Sequence, residues 1–324
     1  MFTVGSCTVL YNPNESVLTN LNSYSNCVDV SVVVDNSDTK NEISQSLKND
    51  PNYIYIDMDG NKGIAAALNK GIEYLNSKNI DFALTMDQDS LFPTKYYPNI
   101  LKLVDKYKEE YSVIGLNFNQ KNCQSDEIVE IPCWLTSGNF VNIDTFNRIG
   151  KFDERLFIDY VDIELGYKLS KSNLKICYLK NYSLKHEIGN PIEIHLFGKT
   201  YHAMNHSPIR YYYRYRNAYY LYHFVDKDFF RKEYFKEITI NIIKMLMYEK
   251  NRKEKLSMIR KGIRDAKLKK LGKNVVLGFF AAITLLLTLL CLFNNAYLSW
   301  DEHTTIVADK PFYLLLWFII VLFF

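Results

Sequence analysis

Two carboxylates that stand two residues apart, Asp87 and Asp89, follow directly on an apolar run at residues 82–86. Such groups are costly at the end of a buried strand unless a cation or ligand meets them, and hard divalent cations prefer oxygen ligands. A second apolar run, residues 30–34, ends in the same way at Asp35. Ligands of open α/β sheets bind outside the carboxyl ends of the strands. The pattern therefore predicts an enzyme that binds a nucleotide-linked substrate together with a metal ion.

Both acidic stretches also have simpler interpretations. An Asp-x-Asp pair is common in polar loops, and Asp35 with Asn36 and Ser37 can form an Asx turn. Asp35 could equally accept hydrogen bonds from a nucleobase or ribose, with Thr8 and Tyr11 at the end of a neighbouring strand. Chemistry alone does not decide between these two interpretations of Asp35.

Further polar side chains lie later in the chain. Asp162 and Glu164 fall in the first turn of a predicted helix, where acids complement the helix dipole. One of them could instead act as a general base toward a hydroxyl. His186 could ligate a metal, although a loop histidine with a protein partner is the commoner case. Arginines at helical spacing among tyrosines suit diphosphate binding and equally a helix against anionic lipid; they are Arg210, Arg214 and Arg216.

The elements that position these side chains alternate between strands and helices. The predicted strands are residues 4–10, 28–34, 53–56, 82–86, 128–135, 140–142 and 175–179. Helical periodicity is clearest at residues 64–77, and further helices are predicted at 159–169 and from residue 208. Strands that alternate with helices predict an α/β fold whose parallel sheet is covered on both faces.

Composition and charge restrict the class of protein. A chain of 324 residues is long enough for one large domain and an appendage. The six cysteines show neither metal-binding spacing nor a paired framework, which predicts reduced thiols of a cytosolic domain. The first residues lack a basic region and a cleavage site, so no signal peptide is expected. Basic residues collect at 250–273 rather than across the domain, so nucleic-acid binding is not expected.

The carboxyl-terminal residues are the most apolar part of the sequence. Residues 275–293 form an uncharged run, about 28 Å long as a helix, against a bilayer core of roughly 30 Å. A second apolar run covers residues 312–324, and the basic block precedes the first run. The positive-inside rule then predicts one or two transmembrane helices that anchor the protein at the cytoplasmic face of the cell membrane. The predicted domains are residues 1–230, a basic helical linker at 231–273 and a hydrophobic membrane segment at 274–324.

Taken in order, the motifs resemble family 2 glycosyltransferases, and in particular their bacterial rhamnosyltransferase branch. The motifs are Thr8-Val9-Leu10-Tyr11-Asn12-Pro13, Val34-Asp35-Asn36-Ser37, Asn61-Lys62-Gly63 through Ile72, Asp87-Gln88-Asp89-Ser90, Ser137-Gly138, Phe157 through Glu164, His186 before Gly189, and Arg210 through Asn217. The resemblance implies a GT-A fold, a nucleotide-sugar donor and inversion at the anomeric carbon. It covers the chain from about Cys7 to Lys273.

The resemblance also implies roles for individual residues. Asp162 matches the general base, and Mg²⁺ or Mn²⁺ would be held by Asp87, Asp89 and His186. The donor-binding residues would be Thr8, Tyr11, Asp35, Asn61, Asp87, Arg210 and Arg216. The acceptor would meet Ser137 and Gly138.

The rhamnosyltransferase branch implies transfer of L-rhamnose from dTDP-L-rhamnose to a polyprenyl-linked saccharide, in the synthesis of a bacterial surface polysaccharide. Related galactofuranosyltransferases have a second Asp just before the base, where this chain has Val161. That departure leaves open a UDP-hexose or UDP-galactofuranose as donor. A catalytically inactive membrane-tethered scaffold is the remaining alternative, and a homo-oligomer stays open.

Overall fold

A computed structural model describes residues 2–118, 128–133, 135–186, 192–196 and 199–274 of the chain. Its strands occur where apolar, β-branched runs meet turn residues. They are β1 (Val4–Leu10), β2 (Val30–Asp35), β3 (Ile54–Asp57), β4 (Phe82–Asp87), β5 (Ser90–Leu91), β6 (Tyr111–Asn117), β7 (Ile128–Ile131), β8 (Asn139–Asn142), β9 (Lys175–Ser183), β10 (Lys185–His186), β11 (Ile192–Leu196) and β12 (Lys199–Ala203).

The central sheet has eight strands in the order β3-β2-β1-β4-β8-β6-β9-β7. Strands β1 to β4 pair in parallel, as predicted, and β6 pairs in parallel with β9. Strand β8 runs antiparallel between β4 and β6, and β7 closes one edge antiparallel to β9. The prediction of a parallel sheet therefore holds for its main part only. The exceptions are the short strands β7 and β8, and antiparallel pairing requires no helical crossover.

Helices cover both faces of this sheet. They are α1 (Ser16–Asn22), α2 (Glu42–Asn49), α3 (Ile64–Ser77), α4 (Tyr97–Tyr107), α5 (Ile143–Arg148), α6 (Val161–Lys171), α7 (Pro208–Tyr220), α8 (Lys227–Lys236), α9 (Ile242–Tyr248) and α10 (Arg252–Lys267). Buried side chains of α3, α5 and α6 pack on one face, and those of α1, α2 and α4 pack on the other. Each large apolar side chain so buried contributes about 1.5–3 kcal/mol, which holds the strand ends in place.

Helix α7 carries the Tyr- and Arg-rich motif and packs along α10. The Tyr212 hydroxyl donates to Asp265 at 2.9 Å, and the Tyr211 hydroxyl donates to Glu249, which pairs with buried Lys255 at 2.7 Å. Residues 231–273, treated above as a basic linker, therefore pack with α7 in the compact unit that ends at Lys273.

The predicted localisation requires a correction. No helix in the described part of the chain is long and apolar enough to cross a membrane, so an anchor of carboxyl-terminal hydrophobic helices at the cytoplasmic face is not supported. The two apolar runs on which that prediction depended, residues 275–293 and 312–324, lie outside the described residues.

Candidate active site

The carboxyl ends of four parallel strands meet along one edge of the sheet. Asp35 of β2 lies opposite Leu10 of β1 on one side and opposite Asp57 of β3 on the other. On the far side of β1, Asp87 of β4 lies opposite Val9. The structure thus brings the two predicted acidic strand ends to the same edge, which is where ligands of open α/β sheets bind.

The acidic turn, residues 87–90, is held by hydrogen bonds to its neighbours. The Asp87 amide donates to the Ser137 hydroxyl at 2.9 Å, and that hydroxyl donates to Ser90 Oγ at 2.8 Å. Between the two carboxylates, Gln88 accepts from the Tyr11 amide at 2.8 Å and donates to the Tyr11 carbonyl at 3.1 Å. The turn is therefore rigidly placed before any ligand arrives.

Ser137 and Gly138, the predicted acceptor-binding residues, form hydrogen bonds that support this turn and the end of β4. Ser137 is 1% exposed, and the Gly138 amide donates to the carbonyl of Thr85 in β4 at 2.7 Å. Gly138 has φ = +73°, a conformation in which glycine avoids the strain of a Cβ. Both residues position Asp87 in this structure, and direct acceptor contact by either is not proposed.

The donor set for a metal is made of oxygen atoms. Asp87 and Asp89 are both partly exposed, and two carboxylates plus substrate phosphates are the usual ligands of Mg²⁺. The backbone of His186 lies beside the turn, because His186 pairs with Ser90 across β10 and β5. Among the residues that the structure describes, no group of three His, Cys, Asp or Glu side chains could hold a metal by itself. The two carboxylates fit a cation that a diphosphate helps to bind.

Asp35 is closed off from solvent in this structure. It is 0% exposed, its Oδ1 accepts from the Ser37 amide at 2.9 Å, and its Oδ2 accepts from the Tyr55 hydroxyl at 2.7 Å. The first of these bonds is the Asx turn. Burial by itself raises the pKa of Asp35, but hydrogen bonds that include those from Ser37 and Tyr55 outweigh it and hold the pKa below its ordinary value. Asp35 is thus a buried carboxylate that fixes the turn at the end of β2.

Thr8 and Tyr11, the other predicted donor contacts of this edge, differ sharply in exposure. Thr8 is 0% exposed and its hydroxyl lies 2.6 Å from the Tyr24 hydroxyl, so direct donor contact is not proposed for Thr8. Tyr11 is 46% exposed and offers its ring to a ligand. An exposed aromatic ring held by its own main chain is well suited to stack on a nucleobase.

Asn61 ties the loop before α3 to the end of β2. Its Oδ1 accepts from Asn36 Nδ2 at 3.1 Å and from the Gly63 amide at 3.0 Å. The Asn36 Oδ1 in turn accepts from the Lys62 amide at 2.8 Å. The Asn-Lys-Gly sequence therefore forms a wall beside the carboxyl end of β2.

Gly63 makes the closest approach in this wall. A Cβ at Gly63 would lie 2.6 Å from the Phe157 carbonyl oxygen, while a Cβ at Gly60 would meet only Asp38 Oδ1 at 3.5 Å. The two glycines have similar φ values of +94° and +99°.

Gly63→Ala is therefore expected to lower the free energy of unfolding by about 1–3 kcal/mol more than Gly60→Ala, because only Gly63→Ala adds overpacking to backbone strain. Urea denaturation of both variants measures the difference. Equal losses of stability would show that residues 61–63 and Phe157 do not pack as described.

Asp162, the predicted general base, stands in the first turn of α6. Its side chain is half-buried in a small cavity beside Thr85, Thr136 and Asn139, and its Oδ1 accepts from the Ile163 amide at 2.9 Å. Burial raises the pKa of Asp162 to about 6, and the nearby Asp159 carboxylate adds to the shift. A base whose pKa lies near the working pH is effective in proton transfer.

Asp162 and the acidic turn share one face of the sheet. Alternate residues of a strand point to the same face, so Asp87 points to the face of Thr85, which lines the cavity of Asp162. The predicted base and a predicted metal ligand therefore lie on the same face of the sheet.

The arginines of α7 have separate surroundings. Arg210 has a side chain that is 44% exposed and pairs with Asp159 at 3.2 Å, and Arg214 pairs with Glu237. Arg216 is 0% exposed, and its guanidinium donates to the backbone carbonyls of residues 155, 156 and 272. Arg216 has no surface with which to meet a diphosphate, so the predicted donor contact is not proposed for it.

Two residues beside these strand ends were not predicted as site residues: Asp57 was not named, and Lys40 was interpreted as ordinary surface. Lys40 Nζ lies 2.9 Å from Asp57 Oδ1 and 3.5 Å from Asp35 Oδ1, so it balances the acidic strand ends. Asp57 carries the same signal as Asp35, an acid directly after an apolar run, and could have been found by that rule. Lys40 has no such local signal.

Comparison with known proteins points to one family. Residues 7–158 match the family described as Glycosyl transferase family 2. The chain is also 29% identical over 238 residues to the dTDP-rhamnosyl transferase RfbF of Shigella flexneri. This alignment covers 66% of this chain and 77% of that protein. These two matches support a family 2 glycosyltransferase. The match to RfbF makes it rhamnosyltransferase-like in sequence, which confirms the resemblance inferred from the motifs.

Solved structures agree on the fold. The crystal structure of S. aureus TarS 1-349 aligns with a TM-score of 0.51 at 15% identity, over 82% of this chain and 81% of that chain. The crystal structure of GalNAc-T7 with UDP, GalNAc and Mn²⁺ aligns with a TM-score of 0.52 at 13% identity, over 82% of this chain and 57% of that chain. These likenesses support a GT-A-like α/β fold for this glycosyltransferase.

Proposed function

We propose that this family 2 glycosyltransferase transfers L-rhamnose from dTDP-L-rhamnose to a saccharide hydroxyl, with inversion at the anomeric carbon. The similarity to RfbF supports the choice of donor. The observation that best supports this type of reaction is the position of Asp162. Its carboxylate has a raised pKa and lies on the same face of the sheet as the acidic turn. The polyprenyl carrier of the acceptor, and a role in polysaccharide synthesis, are proposals from the family resemblance.

The proposed reaction is a single displacement. The acceptor oxygen bonds to the anomeric carbon while its proton passes to a carboxylate oxygen of Asp162. The bond from the anomeric carbon to the diphosphate oxygen breaks, and the electron pair leaves with the nucleoside diphosphate. One base suffices for this step, and no residue of the chain needs to become covalently bound to the sugar.

The leaving diphosphate needs positive charge and fixed hydrogen-bond donors. Asp87 and Asp89 would hold Mg²⁺ or Mn²⁺, which when bound neutralises charge that develops on the diphosphate. Arg210 combines a partly exposed guanidinium with an ion pair to Asp159, so its orientation is set in advance. We propose that Tyr11 stacks on the base and that Asn61 and Asp35 shape the wall behind it.

A comparison of nucleotide sugars tests the choice of donor. We expect dTDP-L-rhamnose with Mn²⁺ to raise the melting temperature of the full chain more than dTDP-glucose, UDP-glucose or UDP-galactofuranose does. A ligand at 100 times its Kd stabilises the native state by about 2.7 kcal/mol. Preference for a UDP-sugar would overturn the donor but keep the reaction type. No stabilisation by any nucleotide sugar would favour an inactive scaffold and overturn the proposal.

A further inference from the structure

The residues just before Asp162 adopt an unusual backbone conformation. Phe157, Asp159 and Tyr160 have φ values of +67°, +63° and +68°, although none of them is glycine. Tyr160, with ψ = 2°, is left-handed, while Phe157, with ψ = −63°, lies outside the left-handed region. Sparsely populated conformations of this kind cost on the order of 1–3 kcal/mol each. This strained loop (residues 157–160) leads directly into the first turn of α6. Its conformation therefore sets the position of Asp162.

Asn217 of α7 holds this loop. Its Nδ2 lies 2.9 Å from each of three carbonyl oxygens, those of Leu156, Ile158 and Asp159. Asn217 is 0% exposed, and its own Oδ1 accepts from the Arg216 guanidinium at 2.9 Å and 3.0 Å. Arg216 therefore fixes the oxygen of the Asn217 side-chain amide, and the two hydrogens of its Nδ2 are shared among the three loop carbonyls.

Neighbouring groups support the same loop. The Arg216 Nη2 donates to the Leu156 carbonyl at 2.8 Å. The Phe157 ring stacks on Tyr213 with centroids 4.8 Å apart. On the opposite side, the Phe157 carbonyl accepts from the Ile64 amide at 2.8 Å, at the start of α3. The loop thus joins the wall that carries Asn61 to the helix that carries Asp162.

We infer that Asn217 is a positioning residue for the transfer reaction: it keeps the strained loop in the one conformation that aims Asp162 at the acceptor. This inference rests on the proposed function for the role of Asp162. Asn217 has no contact with solvent and so acts through the loop rather than on substrate. Strain of this kind persists only where the surroundings impose it.

Asn217→Ala is the direct test, with Tyr211→Phe as a matched control. Both changes remove a buried hydrogen-bonding group from α7, but the Tyr211 hydroxyl bonds to Glu249 and not to the loop. We expect Asn217→Ala to lower kcat by about 10–100-fold with donor KM unchanged within about twofold, because small misplacements of a catalytic group have effects of this size. Tyr211→Phe should lower the melting temperature and leave kcat unchanged.

Hydrogen exchange of the unliganded protein provides a readout that needs no substrate. Asn217→Ala should speed exchange of amides 157–163 selectively, while Tyr211→Phe should not. If Asn217→Ala does not fold, Asn217→Ser, which can donate one hydrogen bond, takes its place. Unchanged kcat or a uniform change in exchange would overturn the inference. An inactive wild type would contradict the proposed function, while exchange would still decide whether Asn217 holds the loop.

Discussion

Replacing Asp162 by Asn is expected to lower the rate of sugar transfer by about 10²–10⁴-fold, the usual contribution of a general base, while donor affinity stays unchanged. Asparagine keeps the size of the side chain but cannot accept the hydroxyl proton. Burial already disfavours the charged form of Asp162, since it raises the pKa to about 6, so the variant should not be less stable. Steady-state transfer and the thermal shift with donor measure both quantities.

The pH profile of the wild type examines the same assignment. Because only the ionised carboxylate accepts a proton, kcat/KM should rise as pH increases through about 6 and then level off. The rising limb should be absent from the residual activity of Asp162→Asn. Asp144→Asn, at a side chain that is 83% exposed, removes the same charge elsewhere and should match the wild type. Wild-type turnover by Asp162→Asn would show that the base is another group.

Replacing Asp89 by Asn is expected to lower transfer by more than about 10²-fold and to abolish stabilisation by dTDP with Mn²⁺. Mg²⁺ and Mn²⁺ require oxygen ligands with charge, and the acidic turn offers two carboxylates. An amide at position 89 replaces one of the two anionic oxygen ligands by a neutral one, which weakens the attraction for the cation and, with it, for the diphosphate. The measurement is a titration of Mn²⁺ with and without dTDP, followed by melting temperature and by transfer rate.

Two controls make this result specific. Asp105→Asn, on α4 with a side chain 60% exposed, removes a negative charge away from the strand ends and should retain the wild-type response to metal. Addition of EDTA to the wild type should reproduce the effect of Asp89→Asn. Transfer that is insensitive to EDTA would contradict a metal role for Asp87 and Asp89.

Local patterns predicted the elements that carry this chemistry. Strand β1 and helix α3 occupy the predicted residues, and β2, β3 and β4 differ from prediction only at their ends. An apolar run with period two or 3.6 reflects burial of one face, which is a property of neighbours in the sequence. Strand β6 was not predicted, although it is buried in the middle of the sheet. A fully buried strand lacks the alternation that marks a half-buried one.

The sequence by itself indicated the family resemblance, the α/β class and the acidic strand ends, because these depend on residue type and on near neighbours. Only the tertiary structure decided which polar residues are exposed at the strand ends and which are buried. Ser137 and Arg216 have the chemistry of ligand-binding residues, yet both are buried and bond to the protein. Asn217 contacts a loop that lies about 60 residues earlier in the chain. Burial and contacts at such separations follow from packing of α7 against the loop, and no local pattern encodes them.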